Sequence, residues 1–152
     1  MQDLRSDVSK AIKEIDCCEK DFGLVNINKW SGIEKRIAAR FLRNGVRDMK
    51  YRWWWEHLKE PAIFVFPYYV PDAILSLVSR SEQVYFIFED DDKFWIYEGY
   101  VPAFRLLINE LYCFEYYVVS KKLNWLLCEN HHSCLIASGK EIVDKIKNME
   151  LA

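Results

Sequence analysis

Glycine is scarce in this chain, with five residues in 152, all isolated from one another. No loop can therefore cradle phosphates with closely spaced glycine amides. The four prolines (Pro61, Pro67, Pro71, Pro102) form no proline-rich stretch, and there is no repeat, linker or low-complexity segment. Cysteine occurs five times, and an odd count is not the framework of a disulfide-stapled secreted domain. No apolar run approaches the ~18–20 residues that a membrane span needs. The first ten residues, MQDLRSDVSK, are too polar for a signal peptide. These absences lead to the expectation of a cytoplasmic protein with reduced thiols and no membrane partner. Neither sign of charge dominates: 21 basic against 23 acidic residues give −2, which selects neither nucleic acid nor a membrane surface.

What the chain does have is apolar and aromatic mass, at 51% and 16% of residues. A single domain spanning 1–152 is expected, able to bury ~70% of its unfolded-chain surface. Residues 1–45 read as a helical part and 62–149 as a sheet-rich part. Charge is polarised along the chain. Lys29 to Lys59 carries nine basic and three acidic residues, a local +6, whereas 61–152 carries eight basic and thirteen acidic, a local −5. Opposed poles suit charge-steered association with a partner; solvated helix faces give the same count.

Helical spacing opens the chain at Leu4, Val8, Ala11, Ile12 and Ile15, with Gly23 as its stop. Ser31 and Glu34 have capping-box spacing ahead of the stripe Ile33, Ile37, Phe41 and Leu42, which Asn44-Gly45 ends. Tyr51 to Lys59 fits a strand or a short helix equally. Ala62 to Phe66 reads as a buried strand, and Pro71 opens a short helix through Ser79. Val84–Phe88 and Phe94–Tyr97 form a hairpin over Asp90-Asp91-Asp92, closed by Gly99. A helix over Pro102–Tyr112 follows. Glu115–Val119, Asn124–Cys128 and Ser133–Ala137 are three further strands, and a helix with Ile142, Val143, Ile146 and Met149 ends the chain. The fold class is α+β: an antiparallel sheet of five or six strands with helices on at least one face.

The chemically dense segment is Glu115 to Gly139. Cys128, Glu129, Asn130, His131, His132, Ser133 and Cys134 are contiguous. Tight turns at Ser120–Lys122 and at His131 place Glu115 opposite Cys128, and Cys128 opposite Cys134, to within one residue. Three readings compete. Cys128, His131 or His132, Cys134 and Glu115 are acceptable zinc ligands, though Cys-x2-His-x2-Cys is not a standard spacing. Cys128 or Cys134 beside a histidine suggests a nucleophile, but no oxyanion-hole motif accompanies it. In the third reading the polar residues bond the turn's own backbone and the cysteines fill the sheet. His57 beside the tryptophans reads as a packed residue.

Glu89 to Asp92 lacks the spacing of a calcium loop; as an exposed acidic tip, Asp90, Asp91 and Asp92 suit a basic partner. Trp53, Trp54 and Trp55 beside Arg47, Lys50 and Arg52 mix rings and cations, as single-strand binders do. The negative overall charge and the lack of any module signature argue against nucleic acid.

The run EYYVVSKKLNWLLCENHHSCLIASG, preceded by FWIYEG, resembles the C-terminal signature of a family of small uncharacterised bacterial cytosolic proteins, over about residues 84–139. Glu115-Tyr116-Tyr117 and Trp125 to His132 carry the likeness. In general type the chain is similar to SUKH-like immunity proteins, small α+β proteins that bind and neutralise toxin domains. That resemblance implies a non-enzymatic binding protein with another protein as partner and no cofactor; a homodimer stays open. Its binding residues are expected among Trp54, Asp90, Asp91, Asp92, Glu115, Tyr117, Trp125, Glu129, Asn130, His131 and His132. The alternative is a small metal-binding protein or hydrolase built on Glu115, Cys128, His131, His132 and Cys134.

Overall fold

The computed structural model describes residues 4–14, 22–90, 92–111 and 114–149. Ile15, Asp91 and Tyr112, assigned above to a helix, a turn and a helix, lie outside them. Seven strands form one sheet: β1 (Phe22–Leu24), β2 (Ala62–Val65), β3 (Gln83–Asp90), β4 (Lys93–Tyr100), β5 (Tyr116–Ser120), β6 (Leu126–Glu129) and β7 (Leu135–Ser138). Their order is β1-β4-β3-β5-β6-β7-β2, with every neighbouring pair antiparallel. Five α-helices accompany them among the described residues: α1 (Leu4–Glu14), α2 (Trp30–Phe41), α3 (Val70–Leu77), α4 (Val101–Ile108) and α5 (Lys140–Lys147). The α+β class therefore stands, with seven strands where five or six were expected.

The added strand is β1. Gly23, expected to stop a helix, lies inside it opposite Glu98. Three residues are too few to show a period, and the strand is fixed by tertiary packing: the Phe22 ring stacks 5.6 Å from Tyr97 and sits 5.6 Å from Phe86. Gly99 likewise does not close β4; it pairs with Val84 inside the sheet. Nor is Ser31 a cap. The α2 helix starts one residue earlier, and Asn26 instead caps a 3-10 turn over Ile27–Lys29, accepting from Asn28 N–H at 2.9 Å.

Strand alternation sorts the sheet into two covered faces. One carries Phe86, Val118 and Tyr116. Phe104 of α4 packs there, 4.7 Å from Phe86 and 5.2 Å from Tyr116, and α3, α5 and α1 gather around α4 and the β7–β2 end. The other face carries Ile87, Tyr117 and Cys128. There α2 and the segment Tyr51–Lys59 lie over the sheet, with Trp54 4.8 Å from Phe94 and 6.3 Å from Tyr117. Helices on both faces explain why every residue of β5, β6 and β7 is buried; strands enclosed in this way need not alternate with polar residues.

Both hairpin registers differ from expectation by two residues. Tyr117, not Glu115, pairs with Cys128, and Ile136, not Cys134, pairs with Cys128. The cause is turn length. The first loop runs through Leu123 at φ 59°, closed by Ser120 N–H donating to Trp125 O at 3.1 Å. The second extends to Ser133 at φ 58°, with Asn130 N–H donating to Cys134 O at 3.2 Å. A slip of two preserves the face, so Glu115 and Cys134 lie one alternation from the row Tyr117–Cys128–Ile136.

Candidate functional site

The segment Tyr51–Lys59 is neither strand nor α-helix. A single 3-10 turn over Trp54–Glu56 is held between extended residues. Its C-terminal end is tied to the end of α2 and the residues after it: Arg43 N–H donates to His57 O at 2.8 Å and Lys59 N–H to Phe41 O at 2.7 Å. Its centre is tied to the sheet, where Trp55 N–H donates to the Tyr117 hydroxyl at 3.1 Å. Upstream, Asp48 accepts from Asn44 N–H at 3.0 Å, a bond that holds its carboxyl below its usual range. This bracing sends the three tryptophans to three depths. Trp54 is 2% exposed and belongs to the core, Trp55 is half-buried, and Trp53 is 37% exposed. Trp54, one of the expected binding residues, thus lies in the core, and of the three tryptophans Trp53 is the most exposed.

The His-His turn comes to the same place. Asn130 is buried and organises it, its Oδ1 accepting from His132 N–H at 3.0 Å and from Cys134 N–H at 3.1 Å. An Asx-type turn of this kind leaves the histidines outside. The His131 ring then lies 5.1 Å from Trp53 and 5.9 Å from Trp55, with its Nδ1 3.5 Å from Glu115 Oε2. Glu115 Oε1 is buried and, like Trp55 Nε1, completes no hydrogen bond among the described residues. Burial raises the Glu115 carboxyl above its ordinary range; His131 and the nearby Trp55 oppose this, and Glu89 adds to it.

Beside this junction a cleft of about 160 Å³ opens, lined among others by Arg52, Trp53, Glu89, Phe94, Glu115 and Tyr117. The remaining candidates fall elsewhere. Trp125, Glu129 and Cys134 are buried away from it, and Asp90 and Asp92 sit at the β3–β4 tip. Asp91 lies outside the described residues. Glu129 accepts a 2.7 Å bond from the Tyr116 hydroxyl on the opposite face from Tyr117. Cys128 is fully buried, and desolvation pushes its thiol well above the usual value, the reverse of an activated nucleophile. Among the described residues no group of three His, Cys, Asp or Glu side chains is placed to hold a metal ion. Sequence reasoning named Trp53 and Arg52 in the ring-and-cation cluster and Glu89 in the acidic run, but did not count them among the expected binding residues; nothing local distinguished them from their neighbours.

The family model for a family of unknown function, DUF6756, matches residues 1–150 of the chain. No curated protein and no solved structure matches it. No helix among the described residues is long and apolar enough to cross a membrane.

Proposed function

Since the chain belongs to this family of unknown function, we propose from its geometry that it is a non-enzymatic binding protein whose partner is another protein. The observation that carries the reading is the cleft lined by exposed Trp53 and the incompletely bonded Glu115, both of which His131 contacts beside it. A tryptophan beside a desolvated charge is the composition of a binding hot spot. At about 160 Å³ the cleft falls below the ~300–1,000 Å³ of small-molecule sites and suits one protruding side chain.

Charge supports a protein partner as well. Of the nine basic residues from Lys29 to Lys59, eight are exposed and Lys59 is half-buried. Such a surface steers an acidic partner and raises its on-rate at low salt. The resemblance to immunity proteins supplies the finer proposal, that the partner is a toxin domain neutralised by being bound.

The test is co-expression with the product of each adjacent gene. One product should co-purify with the wild type and be lost with Trp53→Ala, while the variant keeps the wild-type circular dichroism. Failure of every adjacent product to bind, or retention by Trp53→Ala, counts against the reading.

A further inference from the structure

The cleft walls combine two carboxylates with an aromatic lining. The β3–β5 ladder ends at Ile87 opposite Tyr117. Two residues beyond that last pair, in the same alternation, stand Glu89, near the end of β3, and Glu115, just ahead of β5. Like charges opposite one another across neighbouring strands destabilise a sheet, and Glu89 does act on Glu115 in that sense. Around these carboxylates the lining is aromatic: Trp53, Phe94, Phe114 and Tyr117.

Two carboxylates bordering an aromatic wall repel anions and leave the ring faces to a cation. One cation is already at the rim. The Arg52 guanidinium lies 5.6 Å from the Trp53 ring, yet among the described residues it forms no ion pair with either glutamate. Among the described residues the two carboxylates have no cationic partner apart from the His131 contact to one oxygen of Glu115.

We propose that the cleft takes a guanidinium, presented as an arginine side chain of the partner, between Glu89 and Glu115 and against the ring of Trp53. A guanidinium fits better than an ammonium. It is planar, stacks on aromatic faces, offers five N–H donors to paired carboxylates and is more weakly hydrated. This assignment rests on the reading of the cleft as a partner site.

The experiment is an NMR titration of the full chain with N-acetyl-argininamide, N-acetyl-lysinamide and the neutral isostere N-acetyl-citrullinamide. The signal followed is the Trp53 indole N–H, assigned through Trp53→Phe. Argininamide should saturate it at a Kd on the order of millimolar, as its size allows. Citrullinamide should bind at least about tenfold more weakly, and lysinamide several-fold more weakly. Glu115→Gln and Glu89→Gln should each weaken argininamide; Glu89 is exposed on a strand end, so that variant keeps the test independent of folding. Equal binding of citrullinamide, or no effect of either glutamine, overturns the cation site. Equal binding of lysinamide overturns the choice of guanidinium. If argininamide does not bind while Trp53→Ala still breaks the partner complex, this inference falls and the partner reading stands. If argininamide binds while Trp53→Ala keeps the partner, the partner reading falls, and with it the assignment of the cation to a partner.

Discussion

Glu115 and Glu129 show how one residue type acquires two roles from its surroundings. Glu129 is buried but bonded: the Tyr116 hydroxyl donates to its Oε1 at 2.7 Å. Burial raises its carboxyl, the tyrosine bond opposes the rise, and Tyr116 is itself held well above its usual range. Tyr116→Phe removes the donor and strands the acceptor, so unfolding free energy should drop by about 1–3 kcal/mol, read by urea titration. Glu115 is the contrasting case, its side chain 21% exposed with one oxygen unbonded. Around it stand His131, Trp55, Glu89, Tyr117, Cys128 and Arg52. Its folded pKa lies above the ordinary 4.5, so between the two values the folded state binds more protons than the unfolded. Stability from this group therefore falls as pH rises through that window, and the full penalty applies above it. Glu115→Gln should accordingly raise Tm at pH 7, with the difference from wild type closing as pH falls toward 4.5. The exposed His131 contact it sacrifices is worth little. A Tm below wild type at pH 7 would show that the carboxylate stabilises the fold. Gain of stability with loss of binding is the expected trade at a functional site.

At the scale of elements, turns decide more than strands. The three C-terminal strands were legible from β-branched and aromatic runs such as Tyr116–Val119, but their register was not. Leu123 and Ser133 adopt positive φ, which neither residue type announces, and each loop is longer than a two-residue turn. Gly139 is the clearest element-scale constraint. It joins β7 to α5 at φ 117°, and a Cβ there would lie 2.6 Å from Asn124 O and 3.1 Å from Trp125 Cα. Both contacts are backbone, which cannot swing aside. Gly139→Ala should therefore cost roughly 2–4 kcal/mol by strain and overlap, seen as a drop of several degrees in Tm. The tryptophan segment failed to read as either helix or strand because it is neither. Its hydrogen bonds go to α2 and to Tyr117, partners that local sequence does not contain.

For the whole molecule, β3, β5 and β6 occupy the centre of the sheet while β1 and β2 form its edges. Amide hydrogen exchange should follow that order, slowest at Phe86, Val118 and Leu127 and fastest in Phe22–Leu24 and Ala62–Val65, since edge strands open at lower free energy. Equal protection across the sheet would show that the two edges are covered in solution. The sequence by itself determined the α+β class, the positions of most helices and strands and the identity of the apolar stripes, because each depends on local period and on residues a few positions apart. It also contained every residue of the cleft. Only tertiary structure decided which tryptophan reaches solvent, that β1 joins the sheet, and that Glu89, Trp53, Glu115 and His131 line one junction. Those residues come from four separate stretches of chain. They meet because the β3–β5 pairing ends at Ile87 and Tyr117, just short of Glu89 and Glu115, an Asx turn turns His131 outward, and the backbone bond to Tyr117 anchors the tryptophan segment above them.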